Sequence, residues 1–185
     1  MKNKLNLANV FTILRAVLAI LVPFYLIQQG LWPRIIALIL FTAAMVSDHL
    51  DGRIARKYNE ITALGKIIDP IADKMLTLGL FSTFSYLGLF SWWFVIIIAI
   101  REITVTAARM YFLAKKTAIP AARSGKIKTI LQFASLGAAF LHLIAIDHIP
   151  AIAQYTYFFM HSLLIIAVIL TIYSGLVFFR NLMKA

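Results

Sequence analysis

Cysteine is absent from this 185-residue chain, which excludes a disulfide framework and thiolate metal sites. Charge is also scarce: Asp, Glu, Lys and Arg make up 14% of residues, against about a quarter in an ordinary soluble domain. Acidic residues are the rarest of these, seven against 18 Lys and Arg. With 62% apolar residues and a mean hydropathy of +0.90, the composition points away from a water-soluble globule and toward an integral membrane protein.

A helix needs roughly 20 apolar residues to cross the hydrocarbon core. The apolar runs predict six such spans, at Leu7–Ile27, Arg34–Arg56, Lys66–Leu87, Trp92–Ala114, Ile127–Ile146 and Ala153–Phe179. They leave no room for a separate soluble domain, so residues 1–185 form a single membrane domain. Polar and turn-forming residues separate the spans: Gln28-Gln29-Gly30 with Trp32-Pro33, Lys57 to Glu60, Gly88 with Ser91, Lys115 to Lys126, and Asp147 to Pro150. The first run is interrupted by Asn6, Asn9, Thr12 and Arg15 and is followed by no small-residue cleavage site, so it is read as retained.

The formal charge of +11 would suggest nucleic acid as a partner in a soluble protein, but the basic residues are distributed by side. Thirteen fall at the termini and in the second-to-third and fourth-to-fifth connections, whereas the other three connections hold only Arg34. Because positive segments stay in the cytoplasm, both termini and the two basic connections are predicted to be cytoplasmic. The charge is therefore explained by topology, and no nucleic-acid partner is implied. Trp92 and Trp93 fit an aromatic belt on the outer side.

Against that background the acids stand out. Asp48 and Asp51 are three apart, Asp69 and Asp73 four apart, so each pair shares a helix face. If the chain reverses between them, four carboxylates can converge at the cytoplasmic ends of two spans. At about 2.5 kcal/mol or more each at mid-membrane, such groups need a compensating positive charge. Oxygen-only ligands favour hard cations such as Mg²⁺ or Mn²⁺, and two divalent ions would neutralise the four. A salt-bridge network with Arg53, Arg56, Lys57, Lys66 and Lys74, or an ion or proton pathway, would use the same residues.

The segment reads Asp48-x-x-Asp51-Gly52-x-x-Ala55-Arg56, then Gly65-x-x-x-Asp69-x-x-x-Asp73. In all eight positions it resembles the signature of the CDP-alcohol phosphatidyltransferases, integral membrane enzymes that join a phosphatidyl group to an alcohol. The resemblance implies six transmembrane helices, a homodimer, and a polar active-site cavity on the cytoplasmic side of the cell membrane. It also implies two divalent ions, Mg²⁺ or Mn²⁺, held by Asp48, Asp51, Asp69 and Asp73, with Asp73 as general base. The donor would be CDP-diacylglycerol, with Gly52, Ala55, Arg56, Gly65 and Asn9 as candidate nucleotide contacts.

The acceptor is less constrained. Asn9-x-x-Thr12-x-x-Arg15, Ala72-Asp73-Lys74, Arg101-Glu102-Ile103 with Arg109, and Gly125-Lys126-Ile127-Lys128-Thr129 resemble the bacterial branch of the family that uses glycerol 3-phosphate. That small dianion calls for guanidinium or ammonium donors, and Arg109, Lys126, Lys128 and Arg123 are the candidates. Arg101 and Glu102 read as a structural pair bonding other helices, and none of the histidines reads as a ligand or base. Phosphatidylglycerol, serine or inositol phosphate are alternative acceptors within the class; a metal-ion or proton transporter is the alternative outside it.

Overall fold

Each apolar run becomes a helix. The computed structural model describes residues 7–58, 65–115 and 123–183, with side chains at 13–47, 71–112, 115 and 125–183. Its six helices are α1 (Leu7–Ile27), α2 (Leu31–Tyr58), α3 (Gly65–Tyr86), α4 (Trp92–Ala114), α5 (Arg123–His148) and α6 (Pro150–Leu182). The first and fourth match the sequence expectation at both ends. α2 starts three residues earlier than expected, because Pro33 is tolerated in a first turn where its missing N–H costs nothing. α5 likewise starts four residues earlier, so Arg123 opens the helix instead of lying in the preceding connection.

The turns follow local chemistry. Gly88, at φ +78°, ends α3: its N–H donates to the Ser85 carbonyl at 3.1 Å and the Leu89 N–H to the Phe84 carbonyl at 2.9 Å. This is the paired bonding of a Schellman cap, which needs a left-handed residue. Only Ile149 separates α5 from α6, with Pro150 at the first helical position and the Ile149 N–H donating to the Ala145 carbonyl at 2.8 Å.

The chain divides after Thr83 into two units. In the first, α1 packs along α2. α1 buries Arg15, Leu18, Ala19, Val22 and Leu26, a helical stripe, and α2 buries Ala37, Phe41, Ala44 and Ser47. Pro23 inside α1 withholds the N–H that the Ala19 carbonyl would otherwise accept. Gly79 of α3 approaches that carbonyl, and a Cβ there would stand 3.9 Å from it.

In the second unit α5 and α6 form an antiparallel hairpin, and α4 packs on α6. The α6 stripe is Met160, Leu164, Ala167, Val168, Thr171, Ser174, Gly175 and Phe178. Phe84 packs edge-on against Phe140, with ring centroids 5.1 Å apart. α5 from Gly125 onward and α6 are long and apolar enough to cross a membrane. At about 1.5 Å per residue, the 33 residues of α6 exceed the bilayer core. Trp92 and Trp93 at the start of α4, and Tyr155, Phe158 and Phe159 near the start of α6, expose large amphipathic or apolar rings.

Candidate active site

The eight-position signature falls on two helices. α2 runs unbroken through 48–56 and α3 begins at Gly65, so positions 48 and 51 lie about one turn apart on one helix, as do 69 and 73 on the other. The side chains of Asp48, Asp51, Ala55, Arg56 and Asp69 lie outside the described residues, as do those of Asn9 on α1 and Arg123 on α5.

Asp73 is described. Its side chain keeps 26% of its exposure, and among the described residues its carboxylate bonds only to Lys74 Nζ, at 3.5 Å. That is the outer limit of a hydrogen bond, made to a chain neighbour on the same helix, so the contact ties no two elements together. Thr77 Oγ1 donates to the Asp73 backbone carbonyl at 2.9 Å and leaves the carboxylate alone. Ala72 beside it is buried. Among the described residues, then, no contact of Asp73 locks one helix to another.

The basic candidates diverge. Lys126 is exposed in the first turns of α5. Arg109 on α4 is exposed, with its guanidinium carbon 5.6 Å from the centroid of the Phe178 ring, a cation–π distance. Lys128 is buried, and its ammonium donates to Glu102 Oε1 of α4 and to Gln132 Oε1 at 3.4 Å. Arg101 Nη1 donates to the same Glu102 oxygen at 3.2 Å. The Arg101–Glu102 pair thus bonds a neighbouring helix, as the sequence suggested. It does so through Lys128, one of the candidate acceptor ligands.

The polar chain continues beyond the residues singled out from sequence. Gln132 Nε2 donates to Thr171 Oγ1 at 3.1 Å, and Thr171 Oγ1 donates to the Ala167 carbonyl at 2.6 Å. Donation therefore runs one way, from α5 into the backbone of α6, and this direction fixes the Gln132 amide orientation. Gln132 and Thr171 were missed because each is unremarkable alone. The signal was their register: Lys128, Gln132 and Ser135 recur at four and three residues on α5, and Thr171 and Ser174 at three on α6. Thr171→Val keeps the shape but strands the buried Gln132 amide, and is expected to cost about 1–3 kcal/mol, read as a lower thermal midpoint in detergent.

His142 and His161 make local contacts on α5 and α6, and the side chain of His49 lies outside the described residues. Thr156 gives its hydroxyl proton to the Ala153 carbonyl, so His142 Nδ1 donates to Thr156 Oγ1 at 2.9 Å. His161 lies against Tyr157, with ring centroids 4.1 Å apart. Among the described residues no three His, Asp or Glu side chains gather into a metal cluster; three of the four signature aspartates have side chains outside that set.

Residues 5–173 match the family model of the CDP-alcohol phosphatidyltransferases, and the chain belongs to that family of enzymes. Among curated proteins it is 32% identical to the CDP-diacylglycerol–glycerol-3-phosphate 3-phosphatidyltransferase of Rickettsia bellii, across 100% of this chain and 99% of that one. It is 34% identical to the Bacillus subtilis enzyme of the same name, over 77% of this chain and 71% of that one. A Mycobacterium tuberculosis protein named "Probable phosphatidylglycerophosphate synthase" is 34% identical over 92% of this chain and 78% of its own length.

Proposed function

We propose that this chain transfers the phosphatidyl group of CDP-diacylglycerol to glycerol 3-phosphate, giving phosphatidylglycerol phosphate and CMP. The observation that carries the reading is the complete eight-position signature within a chain that a relative of that named activity matches from end to end.

The donor set of the signature is four carboxylates with no sulfur, and Asp73, bonded among the described residues only to Lys74, fits it. Asp48, Asp51, Asp69 and Asp73 would hold two Mg²⁺ or Mn²⁺ ions, which when bound supply charge neutralisation for the attacking and leaving oxygens. Gly52 and Ala55 keep the α2 surface low for the nucleotide, with Gly65, Arg56 and Asn9 as further donor contacts. Asp73 accepts the proton of the acceptor hydroxyl as that oxygen attacks the lipid-side phosphorus. The bond from this phosphorus to the bridging oxygen breaks, and CMP leaves with that oxygen. No covalent enzyme intermediate is needed.

The acceptor phosphate is bound by Lys126, Arg109 and Arg123, with Lys128, whose ammonium already bonds Glu102 and Gln132, behind them. Electrostatics support this assignment. Arg123 and Lys126 lie at the positive end of the α5 dipole, where cations are unfavourable unless an anion offsets them, and the first turn of α5 has no acid. Six membrane spans, cytoplasmic termini, a cytoplasm-facing site in the cell membrane and a homodimer complete the reading.

Purified protein offered CDP-diacylglycerol and a panel of radiolabelled acceptors tests it. Label should enter lipid from glycerol 3-phosphate, and equal or better use of serine, inositol phosphate or phosphatidylglycerol would overturn the assignment. Lys126→Ala removes one charge-assisted hydrogen bond and should raise the KM for glycerol 3-phosphate about 10-fold to 100-fold with kcat nearly unchanged. Steady-state kinetics at saturating donor checks this.

A further inference from the structure

Three ionised groups lie together in the second unit. Glu102 is 1% exposed, the Lys128 side chain 3% and the Arg101 side chain 11%. One carboxylate oxygen receives both cations, so these two contacts set two positive charges against one negative. A buried ion pair is rarely more stable than apolar residues of the same volume, and an uncompensated charge is worse. Stability therefore does not explain why the chain keeps three charged residues here.

Their position does. Arg101 lies between two glycines: a Cβ on Gly125, in the first turn of α5, would stand 4.0 Å from Arg101 Nη2, and a Cβ on Gly175 of α6 would stand 3.2 Å from Arg101 Cγ. The second distance is too short for an undisturbed contact, so the glycine is what lets the arginine stem pass α6. Arg101 Nε is buried and has no hydrogen-bond partner among the described residues. The guanidinium is thus drawn to the opening turn of α5 without being saturated there. Lys128 is fixed to the same carboxylate from α5 itself, two residues from the exposed Lys126.

We infer that Glu102 is a positioning residue for the acceptor: it gathers Arg101 and Lys128 at the head of α5 and thereby sets the register of Lys126 toward a phosphate-bearing alcohol. The relay from Lys128 through Gln132 and Thr171 to the Ala167 carbonyl anchors the same turn to α6. Glu102 touches no reacting atom. Its carboxylate also reduces the mutual repulsion of the two cations, so its loss would splay the basic cluster without discharging it. The inference rests on the glycerol 3-phosphate reading above and adds the residue that sets selectivity for a charged acceptor.

Glu102→Gln keeps volume and an acceptor oxygen while removing the charge. With full-length protein in detergent or lipid nanodiscs, it should raise the KM for glycerol 3-phosphate about 10-fold, with kcat and the KM for CDP-diacylglycerol within about twofold of the parent, and Glu102→Asp should recover part of the loss. A variant that loses only thermal stability and keeps the parent KM overturns the inference and assigns Glu102 to packing alone. Gly175→Ala provides a second arm that alters no charge. By pressing on the Arg101 stem from α6 it should raise the same KM about threefold, and an unchanged KM there overturns the inference even if Glu102→Gln does not fold. Failure of the parent protein to use glycerol 3-phosphate at all would instead overturn the functional reading on which the inference depends.

Discussion

Replacing Asp73 with asparagine should lower the rate of CMP release by about 100-fold to 10,000-fold, the range attributable to a general base. The loss falls on kcat, because the amide cannot take the proton from the attacking hydroxyl. Its remaining oxygen is also a poorer partner for a divalent ion. The protein itself should be little affected. Asn and Asp are nearly isosteric, the side chain is partly exposed, and its single contact among the described residues is the long one to Lys74. A surface substitution of this kind shifts stability by about 0.5 kcal/mol or less. Single-turnover CMP release and the thermal midpoint, measured on the same preparation, separate the two effects. Normal turnover would remove Asp73 from the role of base.

Chelation should abolish transfer, and added Mg²⁺ or Mn²⁺ should restore it. Four carboxylates within 26 residues, gathered as proposed above, would repel one another strongly unless divalent cations stood between them. Metal bound to the folded state also stabilises it. At a free concentration of 100 Kd the gain is about 2.7 kcal/mol, so the thermal midpoint should fall on chelation and recover with the same ions that recover activity. Parallel titrations of activity and midpoint with Mg²⁺ check this, and full activity in excess chelator would contradict it.

Much of this was legible in the order of residues. The six helices were visible because long apolar runs are marked off at their ends by polar and turn-forming residues. α1 and α4 match at both termini because Gln28-Gln29-Gly30 and Ser91 leave no ambiguity. The head of α5 was harder to read. Gly125 and the surrounding cations look like loop, yet Arg123 already opens the helix. The family was legible from the type and spacing of the signature residues. The fate of Lys128 was not: two lysines two residues apart look equivalent in one dimension, but helical geometry turns Lys126 outward and buries Lys128 against Glu102, 26 residues away in sequence. Gln132 and Thr171 show a polar register on their own helices, but their pairing was not legible, since the bond joining them spans 39 residues.

The most direct test of the central claim is a count of divalent ions on the signature, made without reference to turnover. Electron paramagnetic resonance of Mn²⁺ titrated into purified protein with CDP-diacylglycerol should show two tightly held ions per chain, lost or weakened in Asp69→Asn and unchanged in Lys126→Ala. Absence of tightly held Mn²⁺ in the parent protein, or its persistence after two signature aspartates are replaced, would contradict the account.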